Sequence, residues 1–201
     1  MPLSCVQDLQ VGDFVVLSKL PALRTLRLDH YVASSSALLS FIPQVRTLHI
    51  CAPDLAGYHP YLENLTVTAD NFPVVSMHGY EYEGMVTAFC PSVTTLRLKS
   101  PICTAHLMSF PKLACFEVGT LLAGNPYTPH LPGLTRLVLS AEFHRPSIPL
   151  SWLTLPLQSL AVDRGPRGMT DLFLTSWTSL TSLEWVNADT DVLLHVRFLP
   201  N

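Results

Sequence analysis

The sequence predicts a single α/β solenoid, a curved parallel sheet whose chain is returned by short helices or turns on the convex side. Three observations predict it. A nine-residue phrase occurs twice, as LPALRTLRL at residues 20–28 and as IPQVRTLHI at 42–50. Its apolar pattern, L-x-x-L-x-L, continues along the whole chain. A phased proline marks most of the copies, and a fixed period with a phased marker is the signature of a repeat architecture.

Taken in order, the copies are Leu23, Leu26, Leu28; Val45, Leu48, Ile50; Leu62, Leu65, Val67; and Val93, Leu96, Leu98. They continue with Leu113, Phe116, Val118; Leu134, Leu137, Leu139; Leu157, Leu160, Val162; and Leu180, Leu183, Trp185. Proline precedes the first apolar position by two residues in six of these eight, at Pro21, Pro43, Pro60, Pro91, Pro111 and Pro132. Pro156 sits one residue closer, and Thr178 replaces proline in the last. The spacings between first positions are 22, 17, 31, 20, 21, 23 and 23, so most of the chain keeps one step length. A further copy, Val6, Leu9, Val11, opens the chain.

The second and third apolar positions lie two residues apart, which is the alternation of a strand with one buried face. Between the strands the period changes. SSSALLSFIP (34–43), TAHLMSFP (104–111), TDLFLTSW (170–177) and DTDVLLHVRFLP (189–200) open with Ser, Thr or Asp suited to an N-cap and continue at helical spacing. Proline is expected to end these segments, because it disfavours helix in the residue before it.

A strand, a turn and a short helix every 20 to 23 residues resembles the leucine-rich repeat, L-x-x-L-x-L-x-x-N/C-x-L. The resemblance runs from Val6 to the end and implies a right-handed leucine-rich-repeat solenoid of about 8–9 repeats, one domain over residues 1–201. One departure is plain. The N/C position holds Tyr31, Pro53, Asp70, Pro101, Leu121, Glu142, Gly165 and Ala188, so the turns need another way to satisfy their backbone groups. In style the proline-marked repeats are most like those of F-box/leucine-rich-repeat proteins. That likeness implies substrate recognition for a ubiquitin ligase and a cytoplasmic or nuclear location. The alternative is a regulatory or signalling and immune-receptor leucine-rich region attached to a catalytic or nucleotide-binding module outside this chain.

Composition narrows the partner. The chain is 48% hydrophobic and only 13% charged, which argues for a packed interior. A formal charge of −3, with Lys and Arg never clustered beyond pairs, supplies no field for nucleic acid. No apolar run is long enough to span a membrane, and the N-terminus lacks the pattern of a signal peptide. Five cysteines without a CxxC pair read as free buried thiols, and no zinc spacing appears. No nucleophile elbow, phosphate loop or paired-carboxylate motif is present, and the eight histidines are scattered. The reading is therefore non-catalytic, with no cofactor and no metal, and a protein as the partner.

In a solenoid the variable strand residues form an extended concave surface. The candidate partner-binding residues on it are Arg27, His49, Arg97, Lys99, Glu117, Arg136 and Glu184. The first four repeats make a basic, hydroxyl-rich half suited to an acidic or phosphorylated segment, or simply a solvated strand face. Residues 71–85 form an irregular inserted loop in which Tyr80 and Tyr82, flanked by Glu81 and Glu83, are either a partner contact or ordinary loop residues. Arg164 and Arg167 lie in a Gly and Pro turn that either grips an anion or merely turns. Val6, Leu9 and Val11 at one end, with Val192, Leu193, Val196 and Phe198 at the other, lack a polar cap. That predicts either a longer native protein, truncated here at both ends, or end-to-end association.

Overall fold

A computed structural model of the protein describes residues 17, 19–31, 39–40, 42–51, 56–68, 87–99, 102–119, 121–122, 131–140, 152, 154–163 and 176–186. Residues 71–85 with Tyr80 and Tyr82, residues 164–167 with the two arginines, and the apolar residues near both ends of the sequence lie outside the described residues. So do most of the expected helices other than the one after Cys103.

In chain order the strands are β1 (Thr25–Tyr31), β2 (Thr47–Cys51), β3 (Ala56–Tyr58), β4 (Asn64–Val67), β5 (Thr87–Phe89) and β6 (Thr95–Leu98). They are followed by β7 (Ile102–Cys103), β8 (Cys115–Val118), β9 (Leu121–Leu122), β10 (Arg136–Ser140), β11 (Ser159–Asp163) and β12 (Ser182–Val186). One eight-stranded sheet runs in the order β1-β2-β4-β6-β8-β10-β11-β12, so each repeat adds its strand beside the one before. Every pairing is parallel, which makes the molecule a parallel-strand solenoid.

The register matches the sequence pattern residue for residue. Leu26, Leu48, Leu65, Leu96, Phe116, Leu137, Leu160 and Leu183 pair across successive strands, and Leu28, Ile50, Val67, Leu98, Val118, Leu139, Val162 and Trp185 form the next row. The first row is buried from Leu26 to Leu160, with Leu183 partly buried. With the first apolar positions from Val45 to Leu180, the first row and the second row from Leu28 to Val162 make one continuous core. Each fully buried aliphatic or aromatic side chain contributes roughly 1.5–3 kcal/mol, so the stacked rows are the main source of stability.

The backbone joins the repeats by a device that needs no asparagine. The N–H groups of Arg46 and Thr47 both donate to the Arg24 carbonyl, at 2.8 and 2.9 Å. The same forked bond recurs at each step, onto the carbonyls of Arg46, Glu63, Thr94, Ala114, Thr135 and Gln158. A carbonyl has two lone pairs, so one acceptor serves two donors. Side-chain hydroxyls reinforce it where threonine permits: Thr135 Oγ1 donates to the Ala114 carbonyl at 3.3 Å and Thr181 Oγ1 to that of Gln158 at 3.2 Å.

The phased proline has a different role from the one expected. The N–H of Leu23 bonds the Leu20 carbonyl, Val45 bonds Ile42, Val93 bonds Cys90, Leu113 bonds Phe110, and Leu134 bonds Leu131. Each proline therefore occupies the second place of a β-turn, where its fixed φ is already correct, and the turn closes on the first apolar residue. Thr178 fills that place in the last repeat, where Leu180 bonds Trp177.

On the return side, the expected helix within 104–111 is of the tighter 3-10 kind. It covers Thr104–Ser109, and two short parallel pairs, β3 with β5 and β7 with β9, lie beside the main sheet's strands in the chain. A 3-10 helix rises about 2.0 Å per residue against about 1.5 Å for an α-helix, so it spans a short repeat with fewer residues.

Candidate functional site

Because side chains alternate along a strand, the residues between the core rows emerge on the open face of the sheet. Two further rows stand there in register. One is Thr25, Thr47, Asn64, Thr95, Cys115, Arg136, Ser159 and Ser182; the other is Arg27, His49, Thr66, Arg97, Glu117, Val138, Ala161 and Glu184. All of the candidate residues in the described strands are thus on one face, with Lys99 just beyond β6 and exposed.

Their charges are arranged differently from a free basic half. Arg27 Nε bonds both oxygens of Asp29, at 2.8 and 3.0 Å. His49 Nε2 lies 3.5 Å from the same carboxylate. The register slips between Leu28 and Tyr31, and Asp29 stands in that irregularity beside both basic groups. Arg97 Nε meets Glu117 Oε2 at 3.0 Å, across neighbouring strands in direct register. At the rim, Arg46 pairs with Glu63. These pairs are solvent-exposed, each of order 0–1 kcal/mol, so they set the pattern of charge more than the stability. Lys99 and Arg136 have no ion-pair partner among the described residues.

Burial lowers the pKa of His49 below its usual value, and Arg27 and Lys99 push the same way against the opposing pull of Asp29. Burial also raises the Cys115 thiol, while Arg136 and then Arg97 pull it back down. Cys115 therefore lies within the field of both arginines. Cys90, wholly inside the core, is pushed up to about 12 by burial and stays a thiol. Cys51, Cys90 and Cys115 are all free. No group of three or more metal-ligating side chains occurs among the described residues. No helix among them is long and apolar enough to cross a membrane.

A second surface feature has no counterpart in the repeat pattern. Tyr58 and Phe89 stack across the β3–β5 pair, with ring centroids 6.1 Å apart and planes 12° from parallel, and both are exposed. Tyr61 and Met108, also exposed, belong to the same run of repeats. Beside Tyr58 and Tyr61 lies a cleft of about 310 Å³ between the Leu39–Val45 and Gly57–Leu62 segments. This is the repeat with the short spacing of 17, whose return segment has fewer residues to fill its layer. Only that short spacing hints at the cleft, because three-residue strands leave no periodic signal.

Neither a protein-family model, nor a curated protein, nor a solved structure matches the chain.

Proposed function

We propose that the protein is a non-catalytic recognition module of leucine-rich-repeat type, with a right-handed winding and the open sheet face as its concave binding surface. The reading rests on one observation: an unbroken in-register sheet lifts two rows of variable side chains onto a single face. A surface of that length and mixed polarity suits an extended protein segment rather than a small molecule, which favours an enclosed apolar pocket. Its role is to hold substrates for a ubiquitin ligase in the cytoplasm or nucleus. The partner segment is acidic or phosphorylated and lies against Arg27, His49, Arg97 and Lys99, with Glu117, Arg136 and Glu184 bordering it.

The test is quantitative capture from cell extract by the wild-type chain, by Arg27→Glu/Arg97→Glu, and by Lys112→Glu, whose charge change falls in a turn away from this face. Proteins held by the wild type and by Lys112→Glu should fall at least about tenfold with the double reversal, because repulsion replaces attraction at the interface. The same proteins should become more abundant when the protein is depleted from cells. Capture that ignores the double reversal contradicts the concave reading, and unchanged abundance contradicts the ligase role.

A further inference from the structure

We infer that Arg97 and Arg136 form a two-arginine clamp for a single carboxylate or phosphate on the bound segment, seated over Cys115. The inference rests on the reading of the open sheet face as a protein-binding surface and places the anionic anchor at the centre of that face, away from Arg27 and His49.

The charge pattern carries it. Both oxygens of Asp29 are bonded by Arg27, and His49 faces the same carboxylate, so the first two strands satisfy their own charge. At the centre the balance differs. β6, β8 and β10 bring Arg97, Arg136 and the neighbouring Lys99 together against one carboxylate, Glu117. That pair is made through Arg97 Nε, and the arginine side chain remains more than half exposed. A guanidinium fork presents five donors, so it can hold Glu117 and a second anion together.

Position supports the same point. Cys115 pairs in register with Arg136, and Glu117, two residues further along β8, pairs with Arg97. With strands about 4.8 Å apart and about 3.3 Å per residue, the two arginine Cα atoms lie about 12 Å apart diagonally across β8. Two long side chains can close on one anion over that span. The thiol between them senses both arginines. The residues on the far side, Val138, Ser159 and Ala161, are small enough to leave the position open to a ligand.

Cys115 then reports occupancy, with Cys51 on the N-terminal part of the same sheet as the internal control. Three synthetic peptides of one sequence, carrying phosphoserine, glutamate or serine at the centre, are titrated at millimolar concentration. Iodoacetamide labelling of each cysteine is followed at pH 8.5 by peptide mapping. An anion held by both arginines covers the thiol and removes the positive field that favours its thiolate, so Cys115 labelling should slow about fivefold or more. Cys51 labelling should not change. The effect should be lost in Arg136→Gln and in Arg97→Gln and kept in Lys112→Gln.

Protection by the phosphoserine peptide alone assigns a phosphorylated segment, and protection by the glutamate peptide as well assigns an acidic one. The clamp is overturned if the serine peptide protects equally, if neither anionic peptide protects, or if protection survives both arginine variants. Slowing of Cys51 instead of Cys115 would overturn the clamp while leaving the sheet face as a recognition surface.

Discussion

On the sheet side of this solenoid each step repeats the one before it, whereas on the return side the described segments share the turn before each strand and differ in the rest. The open-face and core rows stay in register through all eight strands, and the forked carbonyl bond recurs at every step. The return segments use a 3-10 helix, two short strand pairs and β-turns, across spacings from 17 to 31 residues. The difference shows what constrains each side. Sheet backbone must find partners for every N–H and C=O, and the core must be filled without voids, so one residue of slip would turn a whole strand over. The return side has only to span back to the next strand, and many conformations of suitable length do so.

The comparison predicts that equal truncations cost very different amounts on the two sides. Phe116→Ala removes a ring with no exposed surface from the centre of the core and should lower unfolding free energy by about 3–5 kcal/mol in urea titrations. Phe89→Ala, on the return side and 45% exposed, should cost about 1 kcal/mol or less. Similar losses would break the comparison.

Gly119 sharpens it at the end of β8. A Cβ there would lie 2.3 Å from the Lys99 carbonyl oxygen, and the Gly119 N–H donates to Leu98 at 2.9 Å. Neither side of that contact can yield without disturbing the step between repeats. Gly119→Ala should therefore cost about 2–3 kcal/mol, read as a shifted denaturation midpoint. A midpoint within error of wild type would mean that the step between these repeats is looser than described.

Two buried tryptophans test the return layers of the last repeats. Trp177 Nε1 donates to the Trp152 carbonyl at 2.8 Å, whereas Trp152 Nε1 is buried without a partner among the described residues. Replacing either by phenylalanine loses similar volume, but only Trp177→Phe removes a buried hydrogen bond, leaving the Trp152 carbonyl with the Leu155 N–H alone, at 3.1 Å. It should cost about 1 kcal/mol more than Trp152→Phe. Equal costs would show that the second indole is satisfied as well.

The smallest effect concerns pH. His49 has a folded pKa below 6.5, held down by burial and by Arg27 and Lys99 against the pull of Asp29. As pH falls, the unfolded chain takes up this proton first, so the related stability is complete above about 6.5 and is lost as pH falls through the folded value. His49→Gln should remove part of the decline in melting temperature between pH 7.5 and 5. Parallel declines in the two proteins would contradict the assignment.

The parts legible from sequence follow the same division. Spacing alone lays the trio Val93, Leu96 and Leu98 on Leu113, Phe116 and Val118, because burial repeats with the strand. Those same columns also bring Arg97 beside Glu117, so that ion pair is readable from the stacked repeats. The Arg27–Asp29–His49 group is not, since it depends on a local slip in register that no spacing reveals. The prolines are conspicuous in the sequence but look like helix stops; their turn role depends on which carbonyl faces which N–H. Tyr58 and Phe89 leave no trace, because a three-residue strand has too few positions to show alternation.

The central claim is that one register runs unbroken across the open face, including the widest gap in the repeat, where Leu62 and Val93 stand 31 residues apart. Thr66 and Arg97 are direct partners across that gap. Mild oxidation of the Thr66→Cys/Arg97→Cys protein, followed by peptide mapping, tests it, because a disulfide requires Cα atoms within about 7 Å. The account predicts a rapid disulfide for this pair and none for Thr66→Cys/Lys99→Cys. Cross-linking of the second pair, or of neither, would contradict it.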